Sequence, residues 1–419
     1  MSELKVVSLE ECLEKVIDYR GRTPKKLGKD WLKDGEYRAI SANNVKFDGL
    51  IREESIYRGD EELYKLWMKD EVERGDILLT SEAPSGQAMI WNSDEKIILS
   101  QRLYALRVNK NLVDNNYLKY FIQSPIGQKS IVRNNSGSTV SGISAKTFKN
   151  IKILIPDLEN QQAISKILLT IDQKIQINNQ INQELEAMAK TLYDYWFVQF
   201  DFPDQNGKPY KSSGGKMVYH PELKREIPER WRVTKLNEVV DLISGYPFSS
   251  NDYVTSGKYK LYTIKNVQDG YTVDKVDNYL DFIPSNMSDE CQLRRGDLIM
   301  SLTGNVGRVG MVYEDDVLLN QRVLKLNPIN KTHKSFIYSF FRSDVTKAHL
   351  ENMSTGTSQK NLSPIDIGNM MIPFPSESLL SKFVNNLNML ENNLVENQQL
   401  TQLRDWLLPM LMNGQVKVE

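Results

Sequence analysis

The chain carries the same text twice. Arg74-Gly75-Asp76-Ile77-Leu78 recurs as Arg295-Gly296-Asp297-Leu298-Ile299 at an offset of 221 residues. Ser100-Gln101-Arg102 recurs as Asn320-Gln321-Arg322 at 220, and Gly137-Ser138-Thr139 with Ile143-Ser144 recurs as Gly356-Thr357-Ser358 with Leu362-Ser363 at 219. Ile155-Pro156 matches Ile372-Pro373 at 217, and Asn44-Val45 matches Asn266-Val267 at 222. Matches in one order with a slowly drifting offset mark a duplicated domain; the period is far beyond the roughly 20 to 50 residues of a solenoid unit. A length of 419 residues suits two such domains, each large enough to bury a core.

Within each copy, short β-rich runs such as Asp76–Thr80 and Lys152–Ile155 alternate with Gly, Pro, Asn and Ser, as strands and loops do. The period then changes to seven. Ile164, Ile171, Asn178, Leu185 and Leu192 fall on one seam of a long helix, and Ile167, Lys174, Ile181, Met188 and Tyr195 on a second. Copy two repeats this with Leu380, Leu387 and Leu394 against Phe383, Leu390 and Asn397, and Pro409 is expected to end or kink its helix. A helix from Gln161 to Val198 would be roughly 55 Å long, a spacer rather than a core helix. Its amide run (Gln173, Gln176, Asn178, Asn179, Gln180, Asn182, Gln183) suits a second protein surface better than free solvent. The Gly-, Pro- and Lys-rich stretch Asp201–Arg230 is long enough to reverse the chain, so the two helices are expected to pair antiparallel. The fold expected is α+β: two duplicated mixed domains joined by two long antiparallel coiled-coil helices. The boundaries are domain 1 at 1–157, central helix at 158–199, linker at 200–230, domain 2 at 231–375 and second helix at 376–419.

Net charge is only −1, yet charge is unevenly distributed. Lys96 to Pro156 holds ten basic residues against Asp114, and Asn320 to Pro364 holds seven against Asp344 and Glu351. Glu53 to Asp76 holds nine acids against four bases. This reads as basic faces turned to a polyanion and acidic faces turned away. Cys12 and Cys291 lie far apart, and His220, His333 and His349 form no ligand pattern, so no metal is expected. A phosphate loop of the GxxxxGK[ST] type is absent; the spacing of Gly304, Gly307 and Gly310 fits no nucleotide-binding pattern and reads as a turn. Asp157 with Glu159, and Asp204 with Lys208, read as surface rather than as a nuclease site. The amino terminus lacks the apolar run of a signal peptide and no stretch approaches a membrane span, which makes a cytoplasmic protein the expectation.

The order of elements, together with Leu192 to Phe200 closing the first helix, Ile227 to Trp231 opening the second domain and Leu407 to Gly414 near the end, resembles the specificity subunits of type I restriction-modification systems. The Gly-Ser/Thr loop followed by a strand ending in Ile-Pro resembles that family's domain-to-helix junction in both copies. Arg230 and Met410 depart from it, standing where glycine and a basic residue are frequent. The resemblance implies two target recognition domains on an antiparallel helix pair, each reading one half of a split DNA target. It further implies two partner subunits that methylate adenine N6 and two that translocate and cleave, with no cofactor and no catalytic site on this chain.

If the two domains read different half-targets, residues common to both copies are scaffold or phosphate contacts, and base readout lies where the copies differ. The stretch Tyr19–Lys46 then offers Arg20, Arg22, Lys25, Lys26, Lys29, Asn43 and Asn44, and its counterpart offers Tyr246, Asn251, Lys258 and Lys260. Arginine suits guanine O6/N7 and asparagine suits adenine N6/N7. Arg102 and Arg322, common to both copies, are assigned to DNA-backbone or folding roles, and Arg133, Lys146 and Lys360 are further DNA-binding candidates. Asn178 and Asn397 interrupt their seams at equivalent places and are expected to hydrogen-bond each other and set helix register. A free-standing bipartite DNA-binding regulator and a self-sufficient enzyme are the other readings open to such a chain.

Overall fold

The computed structural model describes residues 4–136, 141–356 and 360–416, without the side chains of residues 385 and 386. Most of the Gly-Ser/Thr loop of each copy, residues 137–140 and 357–359, lies outside the described residues. The chain divides into two compact units, one formed by Met1–Ile175 with Leu400–Glu419 and the other by Gln176–Gln399.

The first unit centres on an antiparallel sheet with strand order Leu13–Asp18, Leu103–Val108, Ile77–Thr80, Ala88–Ile90. The second unit has the same order in Val240–Ser244, Val323–Pro328, Leu298–Ser301, Val309–Met311, and adds Gly270–Tyr271 at the edge. A smaller sheet in each unit joins Tyr57–Gly59, Tyr37–Ile40 and Ile98–Leu99, or Tyr279–Leu280, Tyr259–Tyr262, Val317–Leu319 and Gln292–Leu293. The central strands Ile77–Thr80 and Leu298–Ser301 are buried on both faces, as their unbroken apolar runs require. Each domain is closed by pairing its first and last strands, Lys5–Ser8 with Lys152–Ile155 and Arg232–Lys235 with Met371–Phe374. This register corrects one sequence match. Ile153 and Ile155 point inward where Ile372 and Phe374 do, so the offset stays at 219 and Ile155-Pro156 is not the counterpart of Ile372-Pro373.

The long helices are Leu158–Tyr193, continued by a π-helical turn Asp194–Val198, and Asn385–Met412, preceded by the short helix Glu377–Phe383. The second runs one turn beyond Pro409, whose missing N–H falls where the helix is about to end. In the second unit Asn178 donates to Asn397 Oδ1 at 3.0 Å and to Glu396 at 2.7 Å, and Asn393 donates to Asn182 at 2.9 Å. Four residues down one helix are four residues up the other, which makes the pair antiparallel.

One seam is as the heptad predicts: Ile164, Ile171, Asn178 and Leu185 are buried. The other is displaced by one residue, to Leu168 and Asn182, and Ile181 and Met188 are 39% and 52% exposed. Adjacent apolar residues at Ile167 and Leu168 leave the spacing of three or four undecided in the sequence, and packing takes four. Asp201–Arg230, expected to be a plain linker, is folded: Met217–His220 pairs with Arg225–Pro228, and Phe202 stacks between Tyr210 and Trp231.

Asn178 is 1% exposed, so its amide depends on the facing helix. Asn178→Ala is expected to lower stability by about 1–3 kcal/mol, because it removes a buried amide that donates to the half-buried Glu396 and Asn397. Urea unfolding followed by helix circular dichroism checks this, and a change under about 0.5 kcal/mol would contradict it.

Candidate nucleic-acid interface

The repeated motifs lie at the two ends of the central strands, and both ends are built alike in the two domains. At the start, Asp76 accepts the Glu73 N–H at 2.9 Å and pairs with Arg107, also at 2.9 Å. Its counterpart Asp297 accepts the Arg294 N–H at 2.8 Å and pairs with Lys325 at 3.0 Å. Gly75 and Gly296 take φ of 97° and 85° in this turn, which explains why Arg-Gly-Asp recurs.

At the other end three repeated segments meet. The Ser81 N–H bonds the Arg102 carbonyl at 2.9 Å, and the Ile143 N–H bonds the Ser81 carbonyl at 2.8 Å. In the second domain Leu302 bonds Arg322 at 3.0 Å and Leu362 bonds Leu302 at 2.8 Å. Thus the Gln-Arg turn, the hairpin loop between central strands and the residues after the Gly-Ser/Thr loop form one surface in each domain. Gly307 takes the hairpin position of Gly86, each N–H returning at 2.9 Å to the strand residue Ser301 or Thr80, so the glycine-rich stretch is a turn.

The structure separates the sequence candidates by what their side chains already hold. Asn44 is buried; it accepts from Ser41 N and Oγ at 3.1 and 2.8 Å and donates to the Ile51 and Arg52 carbonyls. Asn266 repeats this with Thr263, Val273 and Lys275. Asn44 is therefore a turn-fixing residue and not a base reader, because its amide has no vacant position. Lys260 is bound at 2.9 Å to both oxygens of buried Glu314. Arg20 forms a two-pronged pair with Asp18, Arg22 is held by the Trp67 carbonyl, Lys26 by the Gly21 carbonyl at 2.7 Å, and Lys29 by Glu62. Tyr246 donates to Asn286 at 2.7 Å, Arg102 pairs with Glu82 at 3.1 Å and Lys360 with Glu351 at 2.7 Å. Lys25, Asn43, Arg133, Lys146, Asn251 and Arg322 are exposed with no side-chain partner among the described residues. Lys258 is exposed as well, its ammonium lying over the Tyr259 ring.

Part of the charge segregated along the chain is paired within the fold. Lys96 pairs with Glu71, and Arg107 with Glu73 and Asp76, so the acidic run neutralises part of the basic stretch that follows it. Lys119 is also committed: burial pushes its ammonium below lysine's ordinary range, against the attraction of Asp172 at 3.4 Å. Asp172 in addition accepts from Tyr120 at 2.6 Å and pairs with Arg404 at 3.1 Å, tying both long helices to the first domain. In the second unit Glu186 of the first long helix holds Tyr338 and Arg342 of the domain, and Glu391 of the second long helix pairs with Lys334. Two features escaped sequence reasoning. One is a stacked pair, Trp31 on Tyr57, beside Asn43; the other is a polar cleft in the second domain lined by Gln268, Tyr271, Arg308, Lys347 and Lys360. Both join residues distant in sequence, and only the aromatic character of Trp31 and Tyr57 was there to be noticed. No cluster of metal-ligating side chains occurs among the described residues.

Residues 1–187 and 228–403 match the family described as the type I restriction modification DNA specificity domain. The chain is 26% identical over 358 residues to the type I restriction enzyme MjaIX specificity subunit of Methanocaldococcus jannaschii, covering 83% of this chain and 78% of that one. It is 24% identical over 414 residues to the HindI specificity subunit of Haemophilus influenzae, covering 83% and 88%. The fold resembles the crystal structure of a type I restriction-modification S subunit from M. genitalium, with a TM-score of 0.54 at 16% identity over 98% of this chain and 96% of that one.

The two neighbouring asparagines give a direct test of the sorting. Asn44→Ala is expected to cost about 1–3 kcal/mol, since a buried amide is lost together with its bonds to Ser41 and to the Ile51 and Arg52 carbonyls. Asn43→Ala is expected to change stability by less than about 0.5 kcal/mol. Equal losses in urea titrations of the two variants would overturn the assignment.

Proposed function

Because this chain belongs to the family of type I restriction-modification DNA specificity subunits, we propose that it recognises a bipartite, asymmetric double-stranded DNA target, one half with each domain. The observation that carries the proposal is the repeated surface at the ends of the central strands: its backbone bonding is common to both copies, while the side chains around it differ. A shared frame with unlike side chains is what two half-targets of different sequence call for. Arg133, Lys146, Arg322 and Lys25 are the uncommitted cations offered to phosphate, Asn43 and Asn251 the uncommitted groups offered to bases, and Lys258, over the Tyr259 ring, an exposed cation beside them. The proposed domain limits are 1–157 and 231–375, with the helices between and after them as spacers.

In this reading the chain performs no chemistry itself. It positions two adenine-N6 methyltransferase subunits, and in the full complex two restriction and translocation subunits, in the cytoplasm. The exposed amides Gln173, Gln176, Gln180 and Gln183 and the exposed Ile177, Ile181 and Met188 offer those partners a mixed polar and apolar helix face. The Asn178–Asn397 contact fixes helix register and with it the spacing of the half-targets.

Exchange of residues 231–374 for the matching domain of a relative, expressed with the chain's own methyltransferase partner, tests the proposal. Genome-wide mapping of N6-methyladenine is expected to show a split motif in which one half has changed and the other is retained. Loss or change of both halves would refute independent reading. The double variant N178L/N397L is expected to keep both half-sequences while broadening the spacing between them; unaltered spacing would remove the register role.

A further inference from the structure

In each domain the buried asparagine pins a turn against the Gln-Arg motif. The Ala42 N–H reaches the Gln101 carbonyl at 3.2 Å, and the Asn320 N–H reaches the Tyr262 carbonyl at 3.1 Å, next to the turn Thr263–Asn266. The residue immediately before that asparagine points outward in both copies, and here the copies part. In the first it is Asn43, exposed, without a partner among the described residues. In the second it is Lys265, 77% exposed, bonded to Asp277 at 2.6 Å.

The surroundings differ in the same place. Beside Asn43 lies a cavity of about 170 Å³ whose other walls include Trp31, Tyr57, Gln101 and Arg102. The Trp31 and Tyr57 rings stack with centroids 5.8 Å apart and planes within 10°, and Tyr57 is 63% exposed. Tyr57 pairs with Ala39, and Asn278 stands in the equivalent place, its carbonyl accepting the Leu261 N–H. Leu32 bridges Arg58 as Val254 bridges Tyr279, so Tyr253 replaces Trp31. The second domain therefore lacks the exposed aromatic stack and has an ion pair where the first has a neutral amide.

We infer that this cleft determines the base preference of each half-target, with the Asn43 amide as reading group and the Trp31–Tyr57 pair as apolar wall in the first domain, and Lys265 with Asp277 as reading groups in the second. The inference rests on the DNA-recognition reading above and names residues within it. Reading a base edge requires donors and acceptors left open at the surface. Asn43 meets that condition where its neighbour Asn44 does not, and the exposed Lys265 and Asp277, joined through a single Oδ2, keep the remaining ammonium N–H groups and the second carboxylate oxygen open. A carboxamide presents a donor and an acceptor side by side, the match for adenine N6 and N7, and a flat aromatic wall packs on a thymine methyl or an unstacked base. A lysine and an aspartate favour guanine O6/N7 and cytosine N4. The shared Gln-Arg turn holds both sets at the same place in the domain, so a change of side chain changes the base read without moving the frame.

The test maps N6-methyladenine across the genome of cells expressing the full chain with its native methyltransferase partner, for wild type, N43K, N43D and K265N. N43D is isosteric at a side chain without partners and guards against misfolding of N43K. The expected result is loss of methylation by about tenfold or more at sites with the original first half for both Asn43 variants, and at sites with the original second half for K265N, the other half being retained in each case. Wild-type motifs in N43D and K265N, or variants that alter both halves together, would overturn the inference. A wild type that methylates no split motif would instead sink the proposed function.

Discussion

A helix of 36 residues presents water with a stripe of isoleucine and leucine, and in this protein that stripe is divided between two hydrophobic cores. Ile164 and Leu168 belong to the core of the first unit together with Leu408, Leu411 and Met412 from the end of the chain. Leu185, Tyr193 and Phe197 belong to a core of the second unit together with Leu387 and Leu390. Each such side chain withdraws apolar surface worth about 1.5–3 kcal/mol from water, so neither domain is complete without both helices. The polar ties at Asp172 and Glu186 add direction to this. Burial offsets most of what an ion pair gains, but a tyrosine hydroxyl and a basic group converging on one carboxylate allow few orientations of helix on domain.

After Ile171 the buried seam of the first helix turns from apolar side chains to Asn178 and Asn182. An apolar seam tolerates slippage by a heptad because one leucine replaces another. Asn178 and Asn182 do not, since a slipped register leaves amides in a dry interface without partners. In the proposed reading, stability is given up at that point for a defined register of the helix pair, and with it a defined spacing of the half-targets.

Much of this architecture is legible in the sequence because it rests on repetition and period. The duplication shows in the Arg-Gly-Asp and Gln-Arg motifs because those residues fix turns that both copies need, and the Asn178–Asn397 contact could be anticipated from equal offsets and antiparallel geometry. The displaced seam could not, since Ile167 and Leu168 satisfy either spacing and only three-dimensional packing chooses. Nor could the fate of individual charges. Lys96, Arg107 and Lys119 look like a basic patch along the chain, yet each finds a carboxylate that is remote in sequence, and the same holds for Lys29 and Lys260. For the candidate site, the sequence pointed to the turn that holds Asn43 and Asn44 but not to which of the two faces outward. That depends on backbone carbonyls delivered by the Ile51–Arg52 segment, to which no side-chain pattern points.

The repeated interface is assembled almost entirely by main-chain bonds, and this explains how it tolerates substitution. Ser81 in one copy is Leu302 in the other, and Ser100 is Asn320, yet the N–H of Ser81 or Leu302 finds the carbonyl of Arg102 or Arg322 in each. A frame held by N–H and C=O groups makes no demand on the side chains it carries, beyond glycine where φ is positive and a buried asparagine where a turn must be stapled. Side chains on that frame are then free to vary with the DNA to be read while the domain keeps its shape.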